Sequence, residues 1–142
     1  MEYMNNGLWM RRVLQIAGVY NLGWGTSVIL FPNLFFDLAD MPRPSYPMIW
    51  QCVGMIVGVY GVGYLAASSD ALRHWPVVLV GFLGKVFGPI GFAWYTIQGF
   101  FPLEFGLIIV CNDLIWWFPF GRMLWLAWKQ GREVPDYSAA RL

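Results

Sequence analysis

The sequence is poor in charged residues, which make up 12% of its 142 residues. A typical soluble domain contains about 25%. A water-facing surface of this size needs more charge than the chain has, so a soluble globular protein is excluded. The formal net charge of +1 excludes a basic nucleic-acid-binding protein, and the hydrophobic content of 58% excludes a disordered chain.

Histidine and cysteine are also scarce, which limits the cofactors that the chain can hold. His74 is the only histidine, so one chain cannot supply a bis-histidine haem or a zinc site with several histidines. Cys52 and Cys111 are isolated and form no C-x-x-C motif, which excludes a disulfide scaffold. The sequence therefore indicates no metal site, no catalytic residues and no evident cofactor.

Long apolar runs are abundant, and four of them can cross a membrane. A hydrocarbon layer of about 30 Å takes roughly 20 helical residues. The four runs are residues 13–31, 47–67, 76–98 and 103–128, and the last is expected to be tilted or bent. Because a backbone in lipid must satisfy its own hydrogen bonds, the predicted fold is all-α. We expect one transmembrane domain, 1–142, built as an integral membrane four-helix bundle.

The distribution of lysine and arginine predicts how the bundle is oriented. One side of the four-span plan carries Arg11, Arg12, Arg73, Arg122, Lys129, Arg132 and Arg141. The other side carries Arg43, beside Asp37 and Asp40. Cytoplasmic loops carry the excess of positive residues, so both termini are predicted to be cytoplasmic. In the longest connection, the apolar residues within 34–38 are compatible with a short half-buried turn of helix at the outer surface. This segment serves either as an anchored loop or as a lid over a cavity or a partner contact.

Glycines recur at helical spacing in the second and third spans. The stripes are Gly54, Gly58 and Gly61, and then Gly81, Gly84, Gly88 and Gly91. Lipid provides no hydrophobic force between helices, so small residues allow the close approach that holds spans together. These stripes predict tight helix packing, with a partner either in this chain or in another.

Four polar residues are predicted to share one layer near the middle of the membrane: Asn21, Lys85, Asn112 and Asp113. Their depths follow from a rise of about 1.5 Å per residue. A charge at mid-membrane costs about 2.5–3.5 kcal/mol on insertion scales. We therefore expect a buried Lys85–Asp113 ion pair, supported by Asn21 or Asn112. This pair has either a functional role or a structural one, as a latch that fixes helix register.

Prolines and tryptophans occur close to this layer. Pro89 leaves the carbonyl of Lys85 without its helical partner, and Pro119 does the same to Ile115. Such a carbonyl is then open to a ligand, a water or a neighbouring helix. The deep tryptophans Trp24, Trp116 and Trp117 serve either aromatic packing or contact with a quinone, lipid or pigment.

The segment YNLGWGTSVILFPNLFF, with its FP-x-x-FF ending, leads through an outer loop to three further glycine-rich spans. This plan resembles the small four-helix bacterial membrane proteins grouped as DoxX-like. The resemblance covers most of the chain and implies a bacterial inner membrane and an accessory role. Some proteins of that group are subunits of quinone-linked oxidoreductases.

These features favour a non-catalytic accessory or assembly subunit of a larger membrane complex, with electron transfer as one setting. The alternative is a homo-oligomeric carrier of protons or small molecules, or a ligand-binding protein, that uses Lys85 and Asp113. A third interpretation is a membrane enzyme acting on a lipid or quinone. The expected partners are membrane lipids, and other subunits or further copies of the chain at the glycine faces. No nucleic acid is expected.

Overall fold

The computed structural model describes residues 2–133, and every regular element in that range is helical. The helices are α1 (Glu2–Leu30), α2 (Leu34–Leu38), α3 (Pro47–Ala67), α4 (Trp75–Ile97), α5 (Gly106–Asn112) and α6 (Trp117–Glu133). Two 3-10 turns, Leu103–Phe105 and Leu114–Trp116, precede α5 and α6. Arg141 lies outside the described residues.

Four segments of this range are long and apolar enough to cross a membrane: Gly7–Leu30, Pro47–Ala67, Trp75–Ile97 and Gly106–Gly131. The predicted all-α architecture with four spans is therefore confirmed. α1 starts well before the predicted residue 13, because the helix continues through Arg11 and Arg12. α3 and α4 carry proline in their first turn, where the missing N–H costs no hydrogen bond.

α1 and α3 form a tightly packed hairpin because their backbones touch at glycines. A Cβ on Gly61 would lie 2.7 Å from the carbonyl oxygen of Gly18, and one on Gly18 would lie 2.9 Å from that of Gly61. Gly54 and Gly25 meet in the same reciprocal way further along the helices. A Cβ on Gly58 would itself meet nothing, yet a Cβ on Gly25 would lie 2.9 Å from the backbone nitrogen of Gly58. The predicted α3 stripe therefore packs within this chain.

The α4 stripe divides into packed and open glycines. Gly81 lies against the ring of Tyr64, and Gly88 faces the carboxylate of Asp113. Gly84 and Gly91 have nothing within 4 Å of an added Cβ. The expected close contact within the chain therefore holds for two of the four positions, Gly81 against α3 and Gly88 against the residue that follows α5.

One apolar cluster joins the two hairpins. Its buried members are Met10, Leu14, Ala17, Tyr64, Ala67, Ala71, Val78, Trp116, Phe120 and Met123. The ring of Tyr64 meets Phe120 edge-on, with centroids 5.2 Å apart. Since Tyr64 also covers Gly81, this side chain connects α3 to both α4 and α6.

At the opposite end, α2 lies over the α1–α3 hairpin. Phe35 stacks on Trp24 with centroids 5.6 Å apart, and Phe36 meets Trp50 edge-on at 5.4 Å. The predicted short helix is thus present and half-buried through its two phenylalanines, whereas its leucines are exposed. Just beyond it, Arg43 donates from Nε and Nη2 to the carboxylate of Asp37, at 2.8 and 3.1 Å.

Candidate functional site at the interruption of the fourth span

The fourth span is interrupted in its middle, where the sequence predicted a tilt or bend. α5 ends at Asn112, and Asp113 leaves the helical conformation with φ −122° and ψ −58°. The 3-10 turn Leu114–Trp116 then leads into α6. Pro119 falls in the first turn of α6, where proline is tolerated because the first helical N–H groups have no partner.

Lys85 and Asp113 meet at this interruption. The Lys85 Nζ lies 4.0 Å from the Asp113 Oδ1, and the two side chains are only 6% and 8% exposed. Lys85 also donates from Nζ to the backbone carbonyl of Asn112, at 2.6 Å. That carbonyl is at the end of α5, where helical carbonyls lack an intrahelical partner. The interruption therefore leaves the Asn112 carbonyl free to accept a hydrogen bond from Lys85, whereas in a continuous helix it would accept one from a backbone N–H.

Asn112 supports the pair directly. Its Nδ2 donates to the Asp113 Oδ1 at 3.1 Å, so one residue binds the carboxylate through its side chain and the ammonium through its backbone. Asn21 is also buried, at 3% exposed, but its Oδ1 has no hydrogen-bond partner. Of the two predicted supports, the structure brings Asn112 to the ion pair.

The backbone carbonyl of Lys85 accepts a hydrogen bond from the fourth span. Pro89 removes its helical donor, and the indole Nε1 of Trp117 donates to it at 2.8 Å. The ring of the preceding residue, Trp116, lies 5.6 Å from the Lys85 Nζ, within the range of a cation–π contact. Lys85 is thereby held by residues on both sides of the interruption.

Gly88 makes room for the carboxylate. An added Cβ at this position would lie 3.0 Å from the Asp113 Oδ2, which is tighter than nine in ten Cβ contacts in proteins. Since Gly88 is three residues after Lys85 on α4, the ammonium and the space for the carboxylate lie on the same helical face. The sequence singled out Gly88 only as a packing residue; its spacing from Lys85 was the available signal for this second role.

The Oδ1 of Asn112 and the Nε1 of Trp116 are buried without a hydrogen-bond partner, as is the Oδ1 of Asn21. A buried polar group without a partner costs about 1–3 kcal/mol. The group at Asn112 and Trp116 thus combines an ammonium, a carboxylate, a free acceptor and a free donor. Chemically, this set can hold a proton, a water or a small polar molecule.

The deep tryptophans do not form one site. Trp116 and Trp117 belong to the interruption, whereas Trp24 lies with Phe35 and Trp50 under α2. The indole nitrogens of Trp24 and Trp50 are buried without a partner in that second aromatic group. Trp24 therefore belongs to a different aromatic group from Trp116 and Trp117, and a quinone, lipid or pigment contact near these tryptophans stays a prediction.

Among the side chains that the structure describes, no three from histidine, cysteine, aspartate or glutamate come together as a metal site. Cys52 and Cys111 are both free thiols. No family model, curated protein or solved structure matches this chain.

Proposed function

We propose that the protein is a membrane carrier or ligand-binding protein whose Lys85–Asp113 site takes up a proton or a small polar solute. The observation that carries this proposal is the buried ion pair at an interrupted span, with the Asn112 Oδ1 and Trp116 Nε1 left unpartnered beside it. Ionisable residues inside a membrane are costly, and they commonly mark pathways for ions, protons or substrates.

The interruption supports a binding role over a latch. A latch between two spans needs only the two charges, whereas here α5 ends, the chain turns and α6 begins beside them. Broken helices at mid-membrane are typical of transporters, where the free helix ends meet substrate or ions. Non-helical backbone at this depth is tolerated where protein buries it or where it lines a cavity.

Proton flux into liposomes tests the proposal. The purified protein is reconstituted into vesicles containing the pH dye pyranine, and a potassium diffusion potential drives proton entry. We expect flux above that of protein-free vesicles. Asp113→Asn should lower this flux at least about tenfold, which corresponds to about 1.4 kcal/mol, because an amide side chain cannot take up and release a proton.

Asp37→Asn is the matched control, because it removes a carboxylate paired to Arg43 outside the spans. Its flux should equal that of the unmodified protein. Equal flux in Asp113→Asn and Asp37→Asn, or no flux beyond empty vesicles from a folded protein, would contradict a proton carrier.

A second candidate is an assembly subunit of a larger membrane complex, which one observation favours. Gly84 and Gly91 share a face of α4 that nothing in the described chain covers. Purification in mild detergent would test it: Gly84→Leu should lose a stoichiometric partner or second copy, whereas Gly23→Leu, an equally open glycine on α1, should retain it.

We further propose that the chain resides in a bacterial inner membrane with both ends in the cytoplasm. The basic residues at one end of the bundle support this orientation through the positive-inside rule. The location and the accessory setting follow from the DoxX-like resemblance, which stays a prediction.

A further inference from the structure

A second site lies at the end of the bundle where α1 begins and α6 ends, far along the helices from the Lys85 layer. It is a cavity of about 990 Å³ between the start of α1, the α3–α4 connection and the last turns of α6. Ligand pockets commonly measure about 300–1,000 Å³. None of its lining residues belongs to the polar site, so the inference is independent of the proposed function.

Three cations line this cavity, one from the connection and two from α6: Arg73, Arg122 and Lys129. Among the lining residues that the structure describes, Asp70 is the single acidic one, and its Oδ1 already accepts the backbone N–H of Arg73 at 3.1 Å. Among the side chains that the structure describes, the two ion pairs join other residues, so no described carboxylate forms an ion pair with any of the three cations.

Aromatic rings hold two of these cations in place. The Arg122 guanidinium lies 5.2 Å from the ring of Trp9, and the Lys129 ammonium lies 5.8 Å from that of Trp125. A cation–π contact orients a cation without neutralising its charge, since the ring contributes no counter-ion. The cavity is therefore preorganised for an anion.

We propose that this cavity binds the phosphate group of an anionic lipid headgroup. Arginine presents a planar fork that matches phosphate oxygens, and lysine adds a compact positive charge. Trp75 and Trp125 line the cavity and are 45% and 55% exposed, as amphipathic rings at a membrane interface are. Basic pockets between spans bind anionic headgroups in this way. A water-soluble phosphate shares the chemistry, but the position at the end of four spans favours a lipid.

Native mass spectrometry of the purified full-length protein tests the proposal. The protein, in a neutral detergent, is titrated with dioleoylphosphatidylglycerol and with dioleoylphosphatidylcholine, at low ionic strength. We expect phosphatidylglycerol to bind at least about tenfold more tightly. Arg122→Gln and Lys129→Gln should each weaken it about fivefold, the effect of one basic residue near an anionic surface.

Two further variants sharpen the test. Asp70→Asn keeps the acceptor for the Arg73 N–H but removes the opposing charge, so phosphatidylglycerol should bind severalfold more tightly. Arg12→Gln removes an exposed cation that does not line the cavity, and it should leave binding unchanged.

A third titration, with sn-glycerol 3-phosphate, separates the sources. Binding as tight as that of the lipid would overturn a lipid as the source of the phosphate. Equal affinity for the two lipids in the unmodified protein would overturn the site itself, without reliance on any variant. An equal loss in Arg12→Gln and Arg122→Gln would overturn its location.

Discussion

Lys85 and Asp113 depend on each other because neither charged group is exposed to solvent. Both side chains are less than one-tenth exposed, and the Lys85 Nζ lies 4.0 Å from the Asp113 Oδ1. Removing one partner of a buried pair costs about 3–5 kcal/mol, most of which reflects the charge left behind. The stability of the pair is therefore best measured with both single variants and the double variant.

We expect Lys85→Met and Asp113→Leu each to lower the free energy of unfolding by about 3–5 kcal/mol. The double variant should lose less than the sum, since no unpaired charge remains. Unfolding in mixed detergent micelles, followed by circular dichroism, measures all three. Lys129→Met, at an exposed position, should stay within about 0.5 kcal/mol of the unmodified protein. Additive losses in the double variant would show that the two charges do not interact.

Asp37 and Arg43 form the other ion pair of the described residues, and it faces solvent. The hydrogen bonds from Arg43 hold the pKa of the Asp37 carboxyl below its ordinary value. A carboxyl with a lowered folded-state pKa stabilises the fold above its unfolded pKa, and this contribution is lost as the pH falls through the folded value. Because both groups are exposed, the stabilising effect is small.

Arg43→Gln should raise the pKa of Asp37 back toward about 3.9, the value of an unperturbed aspartate. Carbon-detected NMR of the isotope-labelled Asp37 carboxyl, recorded between pH 2 and pH 6, measures this pKa. Arg12→Gln, at the other end of α1, should not move the Asp37 titration. An Asp37 curve that is the same with and without Arg43 would refute the pairing in solution.

Individual helices differ in how far their sequence predicts them. α3 begins at Pro47 and ends at Ala67, as predicted, because proline fixes the start and the polar residues after Ala67 end the apolar run. Pro89 also predicts a free carbonyl at Lys85, which Trp117 occupies. The interruption at Asp113 was predicted only as a tilt or bend, since helix propensity is a weak guide when tertiary contacts such as the Lys85–Asn112 bond decide.

The hairpin of α1 and α3 has little tolerance for added atoms. Gly61→Leu places a side chain where the Gly18 backbone lies, so the two helices must separate. We expect a loss of about 3 kcal/mol or more, at the upper end of what overpacking costs. Thermal unfolding in detergent measures it. Gly23→Leu meets nothing within 4 Å and should unfold close to the unmodified protein. Equal unfolding temperatures for Gly61→Leu and Gly23→Leu would contradict the close approach.

At the scale of the whole molecule, four spans bring the start of α1 and the end of α6 to the same end, beside the α3–α4 connection. The positive residues at this end predict that it faces the cytoplasm. A fluorescent protein fused after residue 142 should then be bright, and alkaline phosphatase fused after Arg43 should be active. The reverse pattern would overturn the orientation while leaving the fold intact.

The sequence predicts this global arrangement better than it predicts the site. Apolar run length and proline position are local properties, so the four spans could be read from them directly. The closeness of Lys85 to Asp113 could be predicted from their estimated depths in the membrane alone. By contrast, the free face of Gly84, the roles of Gly88 and Trp116, and the cavity beside Arg122 depend on how helices distant in sequence come together.

The ion pair at the interruption also constrains how the chain is made. α4 carries Lys85 and the next span carries Asp113, and only residues 98–102 separate the end of α4 from the following 3-10 turn. Either segment released alone into lipid from the translocation channel would bear an unmatched charge. We therefore expect the two segments to leave the translocation channel together, as one pair with no net charge, rather than one after the other.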